Sequence, residues 1–240
     1  MSDECDPRHY GPQNGPVSVG SRFRYIEING KTAYIDCGDD ASLEDIHAGP
    51  FTVDAWVRFI GCLDVFTAIV GKLGGWDFGA YCGDEDVYLY LYTDYTVQES
   101  FEIALPGLPL DEWHHVTGFF DQGITEMCYL AYDGVWVAGT VGLDAQGVLV
   151  SDTGWDLVMG SLGGLNNFTG DIQWLRISAG DRFGVGVDFD PPAMCAPPAV
   201  DGTAIELWEM DEGTGALTAA RVLSPENDGA MTGCTWHRCE

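Results

Sequence analysis

The sequence has few basic residues. Its 240 residues include 10 Lys and Arg against 38 Asp and Glu, a formal net charge of −28 at pH 7. The only lysines are Lys31 and Lys72. Such a surface repels phosphate backbones, so the composition argues against nucleic acid and anionic membranes as partners. The acidity suits either the binding of divalent cations or solubility in salty surroundings, and both roles remain open.

The sequence also lacks a membrane-spanning run, a signal peptide and a paired-cysteine motif. No apolar run approaches the ~18 residues needed to cross a bilayer, so membrane insertion is not expected. Residues 1–5 (MSDEC) have neither the basic nor the apolar region of a signal peptide. None of the eight cysteines forms a CxxC pair, which argues against a zinc knuckle. Their even number favours disulfides in an oxidising compartment, with buried thiols as the alternative.

The rest of the chain consists of short apolar segments separated by turn residues. Residues 51–60 alternate apolar and polar side chains, as a strand with one buried face does. Asn29-Gly30 and Asp133-Gly134 each predict a two-residue hairpin turn. No helix is available for parallel crossovers, so we predict an all-β, antiparallel sandwich of two sheets. The other predicted strands are residues 23–28, 32–37, 68–72, 76–82, 87–92, 101–105, 114–120, 127–132, 135–141, 157–160, 171–178 and 204–210.

Proline and glycine indicate the domain organisation. Residues 1–20 are rich in both and poor in apolar residues, which predicts an N-terminal arm. We predict that residues 21–240 form a single domain. Within it, residues 183–204 cannot be an interior strand because proline lacks the hydrogen-bond donor of the ladder, so they form an extended return across the sandwich. Residues 205–240 are a closing segment.

Six segments occur in the order of a known family. They are residues 34–38 (YIDCG), 51–58 (FTVDAWVR), 69–72 (IVGK), 111–116 (DEWHHV), 132–134 (YDG) and 168–177 (FTGDIQWLRI), and a tail at 207–215 (LWEMDEGTG) follows them. Together they resemble a laminin-G-like domain of the concanavalin A-like lectin/glucanase superfamily. The resemblance implies a jelly-roll sandwich. It also implies a carbohydrate- or protein-binding module, often calcium-dependent, outside the cytoplasm.

The resemblance and the acidic loops together suggest a cation site. In the family's topology the strand that begins near Asp171 runs close to the loop after the first strands, so Asp36, Asp39 and Asp171 are candidate calcium ligands. Two departures limit this expectation. Asp171 precedes Ile172, whereas the family places its acid after the isoleucine, and residues 159–164 (MGSLGG) lack the carboxylates of a pentraxin calcium loop. In a chain this acidic, clusters such as residues 84–86 (DED) also arise by chance.

Aromatic residues in turns suggest a ligand site. A sugar ring stacks on an exposed aromatic ring while its hydroxyl groups bind polar side chains. Trp76, Asp77, Trp155, Asn166 and Asn167 lie in glycine-rich turns that could converge on one edge. Either they bind a ligand or the two tryptophans cap the fold.

A second aromatic group lies on a predicted strand. Tyr88, Tyr90 and Tyr92 share one face of that strand, because side chains alternate between faces. We predict a protein-contact surface there, with the wet side of the core as the alternative.

Catalysis is not predicted. The acidic strand 206–213 (ELWEMDEG) superficially resembles the catalytic strand of laminarinase-like enzymes, but the position of the third acid is Thr214. The five histidines show no paired-ligand spacing.

The sequence therefore predicts a non-enzymatic binding or adhesion module in an extracellular, cell-surface or virion-surface setting. Its partner would be a glycan or a protein surface, with calcium and disulfides as stabilisers. Two alternatives remain. One is a structural subunit of a virion or surface filament, which would assemble as a homo-oligomer, and the other is a glycoside hydrolase.

Overall fold

A computed structural model describes most of the 240-residue chain. The described residues are 24–62, 64–82, 87–97, 99–103, 110–123, 128–138, 140–141, 146–194, 196, 198–211, 217–218 and 228–238. The predicted arm, residues 1–20, lies outside them. Within these ranges, no helix has the length and apolarity that crossing a membrane would require.

The described residues form strands and a single 3₁₀ turn, Ile46–Ala48. The strands are β1 (Arg24–Ile28), β2 (Tyr34–Asp36), β3 (Phe51–Cys62), β4 (Phe66–Lys72), β5 (Trp76–Cys82), β6 (Val87–Thr93), β7 (Tyr95–Val97), β8 (Glu99–Ile103), β9 (Trp113–Phe120), β10 (Cys128–Tyr132), β11 (Val135–Ala138), β12 (Thr140–Val141), β13 (Gln146–Leu149), β14 (Leu157–Met159), β15 (Phe168–Ala179), β16 (Ala204–Trp208), β17 (Leu217–Thr218), β18 (Gly229–Thr232) and β19 (Thr235–Arg238).

Two large antiparallel sheets face each other. The first sheet has the order β11-β10-β9-β3-β15-β1-β19, and β16 pairs with the far half of β15. The second sheet has the order β12-β8-β6-β5-β4-β14-β2-β18-β17, and β13 and β7 form a small separate ribbon. The predicted all-β, two-sheet jelly-roll sandwich is confirmed.

The main core lies between the two sheets. Alternate residues of β3 (Phe51, Val53 and Ala55) are fully buried in one cluster with Phe78 of β5 and Leu91 of β6, because the side chains of a strand alternate between its faces. A second apolar cluster lies on the outer side of the first sheet and contains Trp56 and Trp174. The first sheet is therefore covered on both faces.

The two predicted hairpins have different outcomes. Asp133-Gly134 joins β10 to β11 as predicted, with Tyr132 paired to Val135 and positive φ angles of 47° and 79° at the two turn residues. Asn29-Gly30 does not make a hairpin. It connects β1 of the first sheet to β2 of the second, so the chain crosses the sandwich at this turn and the prediction was wrong.

The proline-rich return runs across the outer side of the first sheet. We call residues 181–203 the strap, and none of its described residues belongs to a strand. Trp56 Nε1 donates to the carbonyl oxygen of Pro192 at 2.8 Å, and the Phe189 amide donates to the Gly134 carbonyl at 2.9 Å. After the strap, β16 and β19 join the first sheet, while β17 and β18 join the second.

Candidate functional site: an aromatic face on the second sheet

The three predicted calcium ligands do not come together. Asp36 lies on β2 of the second sheet, whereas Asp171 lies on β15 of the first. Asp171 Oδ2 instead accepts hydrogen bonds from Arg58 at 2.6 Å, and its side chain is 1% exposed. Burial raises the pKa of Asp171 to about 6, against the opposing effect of Arg58. The register of β15 places Asp171 opposite Arg58, in the other sheet from Asp36.

Asp36 and Asp39 instead lie near Asp156. Partial desolvation and then these two carboxylates raise the pKa of Asp156. The described residues include no group of three or more His, Cys, Asp or Glu side chains arranged to hold a metal ion. The other acidic cluster, residues 84–86, lies outside the described residues. Calcium binding stays a prediction.

The predicted ligand turns do converge at one end of the sandwich. We call this end the loop edge, formed by residues 73–75, 152–156 and 161–166. A Cβ atom at Gly74 would lie 3.6 Å from Trp155 Nε1, and one at Gly163 would lie 3.3 Å from the Leu73 side chain. Trp155 is 48% exposed. The loop edge therefore presents one accessible tryptophan.

Two of the predicted ligand residues, Trp76 and Asn167, are almost fully buried. Trp76 is 1% exposed, and its ring lies 5.1 Å from that of Phe51 in the core. Asn167 is 2% exposed and donates its side-chain amide to Asp64 Oδ2 at 2.7 Å. Asn166 is half-buried in a left-handed turn, with φ 55°. Both buried residues have structural roles because they fasten a turn or strand to the sandwich.

Beneath the loop edge lies a buried ion cluster. Lys72, Asp152 and His47 are fully buried, and Lys72 Nζ lies 3.4 Å from Asp152 Oδ1. Asp152 Oδ1 also accepts the Asp45 amide at 2.7 Å, and Lys72 donates to the Leu43 carbonyl at 3.2 Å. Burial lowers the pKa of His47. The cluster joins residues 43–47 to β4 and residue 152, so it holds the end of the sandwich together.

The outer side of the second sheet carries a different set of side chains. Phe78, Leu89 and Leu91 are buried in the core, so the alternate residues of β5 and β6 face away from the first sheet. These alternate residues are Asp77 and Tyr81 on β5 and Tyr90 and Tyr92 on β6, and Phe66 on β4 pairs with Tyr81. We call Phe66, Asp77, Tyr81, Tyr90 and Tyr92 the aromatic face.

Exposure differs among the members of the aromatic face. Phe66 is 42% exposed, and Tyr81 and Tyr92 are half-buried. The Phe66 ring contacts the rings of Tyr81 at 5.2 Å and Tyr90 at 5.8 Å in edge-to-face geometry. Tyr90, the middle residue of the predicted contact surface, is only 3% exposed. The side chain of Tyr88 lies outside the described residues.

A buried carboxyl group forms the floor of this face. The Tyr90 hydroxyl donates to Asp77 Oδ2 at 3.1 Å, and Asp77 is 5% exposed. Gly79 lies between them on β5, and a Cβ atom there would come within 2.9 Å of the Tyr90 hydroxyl oxygen. Glycine therefore lets the Tyr90 ring cross β5 and reach Asp77. Burial raises the pKa of Asp77 to about 7, and the bond from Tyr90 opposes this shift.

The outer side of the first sheet is closed by the strap. Arg182 Nη1 donates to both carboxylate oxygens of Asp54, at 2.7 and 2.6 Å, and Asp54 is fully buried. Arg176, paired with Asp54 across β15 and β3, donates to Asp201 at 2.7 Å and to the Ala199 carbonyl at 2.9 Å. These ion pairs fasten both ends of the strap.

The acidic strand considered for catalysis is shorter than its sequence predicts. β16 ends at Trp208, and Met210 has a positive φ of 52°. Glu209 and Asp211 therefore do not lie together on a strand face. Glu206 is fully buried and accepts the Leu207 amide at 3.0 Å.

The sequence also predicted disulfides. Cys37 and Cys234 are free thiols, and burial raises the pKa of both, that of Cys234 to about 11. At these two positions the structure shows the alternative of thiols. Cys5, Cys195 and Cys239 lie outside the described residues.

Sequence reasoning missed Phe66 and Tyr81. The available signal was the alternation along residues 76–82, which places Asp77, Gly79 and Tyr81 on one side of β5. It also missed Asp54 and Arg182, whose contact depends on the course of the strap.

Comparison with solved structures identifies proteins of similar fold. A putative carbohydrate binding protein from Bacteroides ovatus matches with a TM-score of 0.63 and 17% identity, over 91% of this chain and 60% of that chain. The chain therefore spans less than two thirds of that protein's length.

Two further matches are weaker. Domains LG4-5 of mouse laminin α1 have a TM-score of 0.45 and 11% identity, over 70% of this chain and 46% of that one. Domain 4 of an extracellular arabinanase from Geobacillus stearothermophilus has a TM-score of 0.44 and 17% identity, over 68% and 85%.

No curated protein matches the chain in sequence. A family model described as the concanavalin A-like lectin/glucanases superfamily matches residues 29–182, which is more than half of the chain. With its two antiparallel sheets in the predicted jelly-roll arrangement, the chain belongs to the concanavalin A-like lectin/glucanase superfamily.

Proposed function

We propose that this chain is a non-catalytic carbohydrate-binding module that holds a glycan on the aromatic face. The observation that carries the proposal is the combination of accessible rings with a buried, hydrogen-bonded carboxyl group on one sheet surface. Phe66 and Tyr92 supply the rings, and Asp77 supplies the carboxyl group. Ligand sites in proteins combine mostly apolar walls with a few well-placed polar groups.

The chemistry of the face suits a sugar. A pyranose has an apolar face of C–H groups and a rim of hydroxyl groups, each of which can donate and accept a hydrogen bond. The rings of Phe66 and Tyr92 offer apolar surface, while the phenolic hydroxyl groups of the half-buried Tyr81 and Tyr92 offer hydrogen-bond partners. Rigid strands hold these groups, so little side-chain entropy is lost on binding.

The absence of catalysis is part of the proposal. Glycoside hydrolysis uses two carboxyl groups about 5–10 Å apart on either side of the scissile bond. Asp77 is held by the Tyr90 hydroxyl, and Glu209 and Asp211, the pair that the sequence suggested for catalysis, lie beyond the end of β16. The fold of the Bacteroides ovatus protein, itself a putative carbohydrate binding protein, supports a binding role.

Binding at the loop edge is the second candidate, because Trp155 is an exposed aromatic residue there. Its surroundings are acidic, with Asp156 close to Asp36 and Asp39. An extracellular or surface location and stabilisation by calcium belong to the same proposal. If calcium binds the native state, adding EGTA lowers the melting temperature, and an unchanged melting temperature removes calcium from the proposal.

The deciding experiment is a glycan array followed by calorimetry with any glycan that binds. Tyr92→Ala should weaken binding on the order of tenfold, since it removes one half-buried ring from the site. Trp155→Ala is the matched control, because it removes an exposed aromatic residue at the other candidate surface. Loss of binding in Trp155→Ala but not in Tyr92→Ala would move the site to the loop edge. No glycan binding by the native protein would refute the proposed function.

A further inference from the structure

We infer that the aromatic face selects uncharged glycans and rejects glycans bearing carboxylate or sulfate groups. This inference rests on the proposed function and concerns the same site. It follows from the distribution of charge around the face and from the positions of the basic side chains in the fold.

Two carboxyl groups lie near the half-buried Tyr92: Asp77 is its pairing partner across β5 and β6, and Asp94 directly follows the end of β6. Burial raises the pKa of Tyr92 to about 12, and Asp94 and then Asp77 add to this effect. Both carboxyl groups are therefore near enough to the Tyr92 hydroxyl to disfavour a negative charge there. A carboxylate on a bound glycan would meet the same field. Like charges juxtaposed in a binding site oppose binding and so provide specificity.

The basic residues that could offset this field are placed elsewhere. Five described basic side chains are already held by a carboxylate: Lys31 by Asp64, Arg58 by Asp171, Lys72 by Asp152, Arg176 by Asp201 and Arg182 by Asp54. Arg58, Arg176 and Arg182 lie on the outer side of the first sheet, and Lys31 lies in the turn after β1. Arg24 lies on β1, also in the first sheet.

Lys72 is the one described basic residue on a strand next to the aromatic face. It lies at the end of β4, is fully buried and is paired with Asp152 beneath the loop edge. Recognition of a carboxylate or sulfate ordinarily uses Arg or Lys donors in direct contact with the anion. Among the described residues, β4, β5 and β6 offer no accessible cation for this contact.

The charge of the whole chain acts in the same direction. A net charge of −28 slows the approach of any anionic ligand, and this long-range effect is weakened by salt. Repulsion by Asp94, and by Asp77 where the pH lies above its pKa of about 7, acts at short range and is screened less. The two contributions can therefore be separated by measuring binding at low and high ionic strength.

The test uses matched pairs of oligosaccharides, one neutral and one carrying an added α2,3-linked sialic acid or sulfate ester. We expect the neutral form to bind at least ~10-fold more tightly at low salt, with the ratio falling but staying above about 3 in ~0.5 M NaCl. The double variant Asp77→Asn/Asp94→Asn should reduce the ratio in high salt, because it removes the local carboxylates. Tyr92→Ala should weaken both forms equally.

Equal or tighter binding of the anionic form at low salt would overturn the inference while leaving the proposed function intact. Binding of neither form would overturn the proposed function itself, and the inference with it. A ratio in high salt that the double variant leaves unchanged would also contradict the inference, because it assigns the selectivity to Asp77 and Asp94.

Discussion

The outer sides of the two sheets differ in what covers them. The strap covers the first sheet, and its buried charges are paired: Asp54 with Arg182 and Arg176 with Asp201. The second sheet carries the aromatic face, where Phe66 is exposed and Asp77 has a raised pKa. Both sides contain aromatic rings and a buried carboxyl group. They differ in whether the chain itself supplies the groups that complete the surface.

This difference indicates where a ligand can act. On the first sheet, Trp56 already donates its hydrogen bond to the Pro192 carbonyl, and both oxygens of Asp54 already accept hydrogen bonds from Arg182. A ligand there would have to displace the strap. On the aromatic face, Asp77 accepts a hydrogen bond from Tyr90, which is a neutral donor. Burial therefore still disfavours the ionised form of Asp77 and raises its pKa. Incompletely stabilised polar groups of this kind are common at functional sites.

The comparison would break if the strap were dispensable. Asp54→Ala leaves the largely buried Arg182 without its carboxylate, which should cost about 4 kcal/mol of stability. Urea denaturation measures this cost, and limited proteolysis should show faster cleavage within residues 181–203. Asp201→Ala is the comparator and should cost only about 1 kcal/mol, because Arg176 keeps Ser178, Ala199 and Thr203 as acceptors. Equal costs for the two variants would mean that apolar packing, not Asp54, holds the strap.

On the second sheet, replacing the buried carboxyl group should stabilise the protein, whereas on the first sheet it should destabilise it. The folded pKa of Asp77 is about 7 against an ordinary value of 3.8, so the folded state favours the protonated form. Its contribution is least unfavourable at low pH, and stability is lost as the pH rises from 3.8 towards 7. Asp77→Asn removes this titration. The free energy of unfolding of the variant, relative to that of the native protein, should increase by roughly 2.5 kcal/mol as the pH rises from about 5 to about 8.

Denaturation curves at the two pH values test this, with Asp121→Asn as the control at an Asp outside the core. A gain that does not depend on pH would show that Asp77 is ionised to the same extent in the folded and unfolded states.

A smaller effect is expected from the partner of Asp77. Tyr90→Phe removes the hydrogen bond that opposes the shift, so the pKa of Asp77 should rise further above 7. Loss of a donor to a buried acceptor should also cost about 1–2 kcal/mol near pH 8. An NMR titration of the Asp77 carboxyl carbon measures the first change. Tyr81→Phe, on the same face, should leave that titration where it is in the native protein.

Much of the fold follows from local sequence patterns. The alternation in residues 51–60 predicts β3, and Asp133-Gly134 predicts its hairpin, because both depend on neighbouring residues. Asn29-Gly30 predicts a hairpin that does not form, because the strand after it pairs with strands far away in the sequence: Ile35 pairs with Met159 and Met231. The strands β17 to β19 are short and gain their order from such pairings, so sequence patterns do not predict them.

The candidate site was only partly predictable for a related reason. Alternation places Asp77 and Tyr92 on one side of the sheet, and this needs no knowledge of distant residues. The burial of Trp76 and Tyr90 depends on what covers them, which the sequence pattern does not contain. The pairing of Asp171 with Arg58 depends on two irregularities in β15, one on each side of it, that shift its register against β3.

The smallest predicted effect on stability concerns the loop edge. It tests whether a functional surface exists outside the two sheet faces. Trp155 is 48% exposed, and one side of its ring lies beside Gly74, which has no side chain to pack against it. Trp155→Ala should therefore change stability by less than ~0.5 kcal/mol. Trp76→Ala, which removes a fully buried ring from the core, is the contrasting control and should cost about 3–5 kcal/mol. Thermal denaturation of the two variants measures both values. A large loss of stability in Trp155→Ala would show that this ring caps the fold, and it would leave the aromatic face as the sole candidate among the surfaces compared.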